Sequence, residues 1–367
     1  MYQARFIQST HPFQKFIAIF TLSLLLSGVS IDFARVQASE NKDQLVLLNW
    51  EEFLDPELIQ KFEAAFKVKV KEVYFDSESE RNTILSNSNT TGYDLVLLSR
   101  SEIPSFIKRK WIATFDESKI PNIEHVDARW LFGTSKGEVY AIPYVWGTTG
   151  IVYRKDLVPA PVTSWKQFFK PPEILRNKIL SLEEPDTIVG MALKALGYKF
   201  NSSNTKELAE AEKLLLLQKP FVRGYSTLVL TEDSLMVTGE IWMAITYSGD
   251  AITLQEFNPA ITYVIPEEGG SLWTDSWGLL RTSPNKELAT AFVNFLHDPE
   301  NAAATALYTN YATPNQAAKK LLPAEHLNNT GIYPPEGVLG KCEFYEILNP
   351  RASRKRNSIF SKIYKDE

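Results

Sequence analysis

Cysteine and histidine are scarce in this chain of 367 residues. It contains one cysteine, Cys342, which excludes an intramolecular disulfide, and four histidines that stand far apart along the sequence. Three of these histidines, His125, His297 and His326, are expected on the surface. Neither the HExxH pattern of zinc peptidases nor the phosphate-binding GxxxxGK[ST] loop occurs. A nucleophile elbow of the GxSxG type is not expected either. No Cys/His group has the spacing of metal ligands. These absences argue against an enzyme and predict neither a metal nor a cofactor.

Positive charge is also in short supply. The formal net charge is −5 at pH 7. A protein that binds nucleic acid needs a basic surface, so nucleic acid is a poor candidate partner. An acidic protein suits a cationic ligand better.

The one long apolar run lies near the N-terminus, at residues 16–31. Arg5 and Lys15 precede it, and Val36-Gln37-Ala38 offers small residues for cleavage. We therefore predict a signal peptide over residues 1–38 and export to the periplasm. An uncleaved anchor is the alternative, although the run is shorter than the ~20 residues of a spanning helix. Loss of this segment, which carries a charge of +2, leaves 329 residues with a net charge of −7.

Strand and helix patterns alternate along the rest of the chain, which predicts an α/β protein. The length exceeds that of a typical single domain and favours two lobes. A strand-like stretch at 139–153 is interrupted by Pro143 and by two glycines, as expected of a crossover between lobes. The C-terminal segment 353–365 is predicted to be a mixed basic helix on the surface. Further strands and helices are predicted at 45–48, 68–73, 93–98, 179–182, 241–245 and 261–265, and at 55–66, 206–217 and 285–296, respectively.

Polar residues follow the first and third of these strands. Trp50, Glu51 and Glu52 come directly after the first strand, and Ser99 and Ser101 follow the third. Ligands of open α/β sheets bind beyond the carboxyl ends of the strands, so these side chains are candidate ligand contacts.

Acids and aromatic residues recur together in short segments over the whole chain. Carboxylates accept charge-assisted hydrogen bonds from ammonium groups. Aromatic rings hold methylene groups and add cation–π attraction. This combination predicts a site for a flexible organic cation. The segments are Asn49-Trp50-Glu51-Glu52, Tyr93-Asp94-Leu95-Val96, Ile142-Pro143-Tyr144-Val145-Trp146-Gly147, Tyr247-Ser248-Gly249-Asp250 and Trp273-Thr274-Asp275-Ser276.

The order and spacing of these segments resemble the periplasmic spermidine/putrescine-binding proteins of bacterial polyamine ABC importers. The resemblance covers nearly all of residues 43–365. Other segments that carry it are Thr163-Ser164-Trp165, Met191-Ala192-Leu193, Leu196-Gly197-Tyr198, 266–270 and Tyr311-Ala312-Thr313-Pro314-Asn315.

This resemblance implies a type II periplasmic-binding-protein fold, with two α/β lobes joined by hinge strands around a central cleft. The first lobe would comprise residues 39–147 plus 275–320, and the second 148–274 plus 321–367. The protein would be a monomer that closes on a polyamine and delivers it to an inner-membrane ABC permease.

The resemblance also implies the ligand contacts. Glu51 stands where the family usually has a small hydroxyl residue, and Tyr247 replaces a tryptophan. Glu184 replaces an aspartate. Two positions lack the residue that other family members have there. Thr187 stands where the family often has a glutamate, and Ser101 stands where spermidine-binding members can have an aromatic residue. The predicted ligand-binding residues are Trp50, Glu51, Glu52, Ser99, Glu184, Tyr247, Asp250, Trp273, Asp275 and Tyr311. Three other tryptophans, Trp111, Trp130 and Trp165, are expected to be packing residues.

Alternatives remain within the same architecture. A sugar site also uses acids and tryptophans, and another organic cation would use the same chemistry. Arg100, beside Ser99, would repel a cation if it pointed into the cleft. The extra acid Glu51 slightly favours spermidine over putrescine.

Overall fold

The computed structural model of the chain describes residues 43–132, 134–135 and 138–364. The predicted signal peptide, residues 1–38, lies outside this part of the chain. No helix within the described ranges combines the length and apolar character needed to cross a bilayer.

Thirteen strands are formed by the described residues. They are β1 Gln44–Asn49, β2 Lys69–Tyr74, β3 Leu95–Ser99, β4 Ile112–Ala113, β5 Thr134–Ser135, β6 Glu138–Val139, β7 Ala141–Arg154, β8 Ile179–Ser181, β9 Val222–Tyr225, β10 Met243–Tyr247, β11 Ile261–Val264, β12 Ser271–Leu280 and β13 Glu343–Phe344.

Fourteen α-helices alternate with them in the same ranges. They are α1 Pro56–Phe66, α2 Glu78–Asn87, α3 Ile103–Lys108, α4 Trp165–Phe169, α5 Pro185–Ala195, α6 Thr205–Gln218, α7 Leu235–Thr238, α8 Ser248–Phe257, α9 Lys286–Leu296, α10 Pro299–Thr309, α11 Gln316–Lys319, α12 Ala324–Asn328, α13 Glu336–Leu339 and α14 Pro350–Tyr364. The α/β prediction is confirmed, and the predicted strands and helices are found within a few residues of their expected bounds.

Eleven of the strands form one continuous sheet. Its main path runs β2-β1-β3-β12-β7-β10-β8-β9, while β11 pairs with β7, and β4 and β13 pair with β12. The first three strands are parallel to one another, and β12 is antiparallel to both β3 and β7. Strand β12 therefore joins the parallel group to the rest of the sheet.

The local sequence explains the start of the chain. Leu45, Leu47 and Leu48 of β1 have no solvent exposure, as expected of a parallel strand covered on both faces. Asp55 caps α1 by accepting a 2.8 Å hydrogen bond from the backbone N–H of Glu57. The helix then packs against the sheet through its apolar face.

Strand β7 differs from the prediction because it is continuous. Pro143 lies opposite Ser276, where the register between β7 and β12 shifts, so the missing N–H falls at an irregularity of the ladder. Gly147 does not break the strand either. A Cβ atom there would approach the Trp273 ring to 2.4 Å, so the glycine makes room for that ring.

The C-terminal helix also differs from the prediction of a solvated surface element. Helix α14 buries Arg356, Ile359, Phe360 and Ile363. The apolar side chains of Ile359, Phe360 and Ile363 belong to the core that β8, β10 and helices α4 to α6 share. The basic composition hid an amphipathic pattern, because only one face of the helix carries the charges that meet solvent.

The histidine prediction fails at two positions. His297 was expected on the surface but is 2% exposed, with its ring nitrogens 2.8 and 2.7 Å from the carbonyl oxygens of Val293 and Pro143. His326 is also buried. The packing roles predicted for Trp130 and Trp165 are confirmed, because both rings are enclosed in the core.

Candidate functional site

An aromatic group stands at the centre of the candidate site. Trp273 comes from β12, Tyr247 ends β10, and Tyr311 follows α10. The Trp273 ring centre lies 4.7 Å from that of Tyr311 and 5.9 Å from that of Tyr247, with both tyrosines edge-on. The indole Nε1 of Trp273 is buried and has no hydrogen-bond partner among the described residues.

Two acids lie against these tyrosines. The Tyr247 hydroxyl donates to Glu184, which also accepts a 2.8 Å hydrogen bond from Thr187. The Tyr311 hydroxyl donates to Asp250 at 2.6 Å. Burial raises the pKa of Asp250 to about 6, and the charge of Glu184 adds to this, although hydrogen bonds from Tyr311 and Thr246 oppose it. Asp250 is thus a carboxyl group whose charge is only partly compensated.

A third acid, Asp275, lies two residues after Trp273 on the same strand. It pairs with Ser99 across β12 and β3, and its charge reaches Tyr311. Burial raises the pKa of Asp275 to about 7, against the opposing charge of Arg81 and a hydrogen bond from the Trp50 side chain. We call Glu184, Tyr247, Asp250, Trp273, Asp275 and Tyr311 the acid–aromatic cluster.

The structure places the other predicted residues in two groups. Trp50 and Ser99 adjoin Asp275, as described, and the Trp50 ring packs 4.3 Å from that of Phe75. Glu51 and Glu52 are exposed on the loop after β1. No hydrogen bond or ion pair within the described residues joins either glutamate to the acid–aromatic cluster. Their ligand contacts stay predictions.

Three charged residues beside Asp275 escaped the sequence analysis. Arg81 of α2 has no solvent exposure and forms an ion pair with Glu102, while its Nη1 donates to the Leu97 carbonyl oxygen at 3.1 Å. Glu78, at the start of the same helix, is exposed. We call Glu78, Arg81 and Glu102 the Arg81 cluster.

Signals for the Arg81 cluster exist in the sequence. Arg81 stands four residues before Leu85, so it lies on the buried face of α2, where an unpaired charge is costly. Glu102 follows β3 just as Ser99 and Ser101 do. Each signal is weak alone, since the pair is recognisable only when both residues are known to meet.

Arg100 does not face the acids. Its guanidinium carbon lies 3.3 Å from the ring centre of Phe132 and 3.8 Å from that of Phe344. Burial lowers the pKa of Arg100, whereas the charge of Glu346 raises it. Stacking between two rings accounts for the cation here, and it links the end of β3 to the C-terminal segment.

A second buried arginine, Arg356, contacts the segment that follows Glu184. The Tyr345 hydroxyl donates to Asp186 at 2.8 Å, and Arg356 lies 3.8 Å from the same carboxylate. Arg356 also donates to the carbonyl oxygens of Phe200 and Ser202. These contacts fix the first turn of α5, directly after Glu184.

The expectation that the GxSxG pattern is absent is wrong, because the sequence has this pattern at residues 133–137. A nucleophile elbow lies in a sharp turn between a strand and a helix. Here the pattern overlaps the antiparallel pair β5 and β6, with Thr134 opposite Val139. Pairing of Thr134 and Ser135 with an antiparallel strand is not the setting of a nucleophile elbow.

The site as described is an aromatic centre with carboxyl groups on either side. Within the described residues, no three His, Cys, Asp or Glu side chains gather as metal ligands would. Aromatic faces and carboxylates together recognise extended cations, since the rings contact methylenes and the acids bind ammonium groups.

Most of the chain is similar to known proteins. Residues 57–330 match the family described as bacterial extracellular solute-binding protein. The chain is 34% identical over 361 residues to the putrescine-binding periplasmic protein of Pseudomonas aeruginosa, covering 93% of this chain and 96% of that protein. It is 31% identical over 333 residues to the spermidine/putrescine-binding periplasmic protein of Escherichia coli, covering 90% and 94%.

Solved structures agree with the sequence relatives. The spermidine/putrescine ABC transporter substrate-binding protein of Streptococcus pneumoniae superposes with a TM-score of 0.78 at 29% identity. The superposition covers 88% of this chain and 98% of that structure. The predicted two-lobed α/β fold is thereby confirmed.

Proposed function

The chain belongs to the bacterial extracellular solute-binding protein family, and we propose that it binds a linear polyamine for import through an ABC transporter. The observation that carries this proposal is the set of acids around Trp273. Asp250 and Asp275 are held among protein atoms with raised pKa values and without an ion-pair partner in the described part of the chain. A bound cation would compensate both charges.

The chemistry of the cluster fits a polyamine in detail. Each ammonium group has three donors and needs about three acceptors to offset its lost hydration. Carboxylates and tyrosine hydroxyls supply acceptors on either side of the rings. The methylene chain between the ammonium groups would lie against Trp273, whose partly buried ring offers an apolar face. Relatives named for putrescine and spermidine support this ligand class.

The lobes are proposed as the sequence suggested: residues 39–147 plus 275–320, and residues 148–274 plus 321–367. Ligand would bridge Asp275 on one side and Asp250 with Glu184 on the other, and would favour the closed form. The loaded protein, a periplasmic monomer without catalytic activity, would then dock on an inner-membrane permease. Periplasmic relatives support the proposed location.

Isothermal titration calorimetry tests the proposal directly. The purified chain is unfolded and refolded to remove carried-over ligand, then titrated with spermidine, putrescine and a neutral disaccharide. Saturable one-to-one binding of a polyamine, without binding of the disaccharide, is expected. Binding of the disaccharide alone would indicate a sugar-binding site. The absence of binding by either polyamine would refute the proposal.

Polyamine binding is expected to tighten by roughly tenfold between pH 6 and pH 8. The folded, ligand-free protein holds Asp250 and Asp275 partly protonated, since their pKa values lie at about 6 and about 7. An ammonium group favours the ionised acids, so binding releases protons and gains affinity as the pH rises. Arg81 and Glu102 face Asp275, and Tyr311 and Glu184 face Asp250. Calorimetry in two buffers of different ionisation enthalpy counts the protons, and a flat affinity would contradict this assignment.

A further inference from the structure

We propose that Gly249 is a positioning residue: because it has no Cβ atom, it leaves room on α8 for the ring of Tyr311 and so lets the Tyr311 hydroxyl reach Asp250 when the lobes close. The inference rests on the proposed function and on the lobe bounds given with it. Gly249 need not touch the ligand to act in this way.

The Tyr311 ring lies directly on the backbone of α8. Gly249 is the second residue of this helix and is buried. A Cβ atom at this position would lie 2.6, 2.7 and 2.8 Å from Cε1, Cζ and Cδ1 of Tyr311. Non-bonded carbon atoms are ordinarily about 3.5–4.0 Å apart, so a larger residue at position 249 would have to displace the ring.

The backbone of α8 does not itself require a glycine. Gly249 does not have a positive φ, and it lies within a helix. Alanine is the better helix former in such a place. The contact with the Tyr311 ring is therefore the reason that the structure offers for a glycine here.

Tyr311 has little freedom to move aside. It is 6% exposed, and its ring centre lies 4.7 Å from that of Trp273 and 5.7 Å from that of Phe53. Its hydroxyl donates at 2.6 Å to Asp250, the residue after Gly249. A displaced ring would therefore weaken this hydrogen bond and disturb the aromatic centre.

The residue before Tyr311 contacts the same helix. Asn310 donates from Nδ2 to Thr253 Oγ1 and to Glu256 Oε1, each at 3.3 Å. Asn310 and Tyr311 thus follow α8 over about two turns. In the proposed division of the chain, these two residues belong to one lobe and α8 to the other. The contact would then form when the lobes close and would be absent from the open form.

Replacing Gly249 by alanine should therefore act on closure. A contact made only in the closed form leaves the stability of the open, ligand-free protein unchanged, while the apparent affinity falls with the population of the closed form. Gly190 of α5 provides a matched contrast. A Cβ atom there would clash with the ring of Phe200, which belongs to the same proposed lobe. Alanine at position 190 is thus unfavourable in the open and closed forms alike.

The test measures affinity and stability on the same variants. Gly249→Ala is expected to bind spermidine and putrescine about tenfold less tightly than the wild type, by the same factor for both, because overpacking opposes closure rather than one ammonium contact. Its ligand-free Tm should not fall. Gly190→Ala should show the reverse, with a lower ligand-free Tm and wild-type affinity in the folded protein. Titration calorimetry gives the affinities, and scanning calorimetry gives the Tm values.

A double-mutant cycle establishes whether the ring carries the effect. Tyr311→Ala removes the ring and is expected to weaken binding by itself. In that background, Gly249→Ala should cause no further loss of affinity, since the added Cβ atom no longer meets the ring.

The inference would be overturned by unchanged affinity in Gly249→Ala, by a fall in its ligand-free Tm as large as that of Gly190→Ala, or by an equal further loss of affinity in the Tyr311→Ala background. Each of these results leaves the proposed function intact as long as the wild type binds polyamines. A wild type that binds neither polyamine would refute the proposed function and this inference together.

Discussion

Replacing Asp275 by asparagine is expected to weaken polyamine binding by on the order of 2–5 kcal/mol, which corresponds to roughly thirty-fold to several-thousand-fold in affinity. Asp275 adjoins Trp50, Ser99 and the aromatic centre, and an ammonium group bound there would be left facing a neutral amide. Calorimetry with spermidine and putrescine measures the loss. Unchanged affinity would remove Asp275 from the site.

Without ligand, the Asp275→Asn substitution should not lower the stability of the folded protein. The raised pKa of Asp275 means that its ionised form is disfavoured in the ligand-free fold, so the folded state binds more protons than the unfolded chain up to pH 7. Stability from this group is therefore lost as the pH rises through 7. Asp275→Asn should thus match or exceed the wild type in free energy of unfolding at pH 8. A lower free energy of unfolding in the variant would indicate a structural role for Asp275. A loss of polyamine affinity could then not be assigned to a direct contact with the ligand.

Replacing Arg356 by methionine is expected to lower the free energy of unfolding by on the order of 3–5 kcal/mol. Arg356 lies on the buried face of α14 and donates to the carbonyl oxygens of Asp186, Phe200 and Ser202 at 2.9, 2.6 and 3.2 Å. Methionine occupies a similar volume but leaves these acceptors without donors. Urea unfolding monitored by tryptophan fluorescence gives the change.

Arg354→Met is the matched control for this prediction. Arg354 is exposed on the same helix, so its replacement changes the charge and the helix propensity equally but buries nothing. Its effect should stay within about 0.5 kcal/mol. If the two variants lose the same stability, the helix is sensitive to charge alone and the buried contacts of Arg356 are unimportant.

Sequence patterns predicted the fold well where local signals agree with tertiary packing. The apolar run of β1 and the Asp55-Pro56 start of α1 each carry their own physical cause. The pattern failed for the C-terminal helix, because Arg356 is a charge that belongs to the core. It also failed for His297, because no local feature distinguishes a histidine held between two carbonyl groups from one on the surface.

The candidate site was predicted only in part for a similar reason. Trp273, Tyr247, Tyr311 and the acids beside them could be chosen by residue type and by resemblance. The Arg81–Glu102 pair could not, since the weak signal at each residue does not show that the two meet where the start of α3 lies against α2. The orientation of Arg100 depended on Phe344, which is far away in sequence. Contacts of this kind come from topology rather than from spacing.

Strand β12 has a consequence for how the chain is made. It pairs with β3 on one side and β7 on the other, and it also carries β4 and β13. During synthesis on the ribosome, residues 44–154 emerge long before residues 271–280. The edges of β3 and β7 that pair with β12 therefore stay unpaired until β12 has been synthesised. Pairings this distant in sequence form slowly, and exposed strand edges invite aggregation. A chain shortened before residue 271 should therefore need a chaperone to remain in solution, whereas one shortened after β12 has already closed the middle of its sheet.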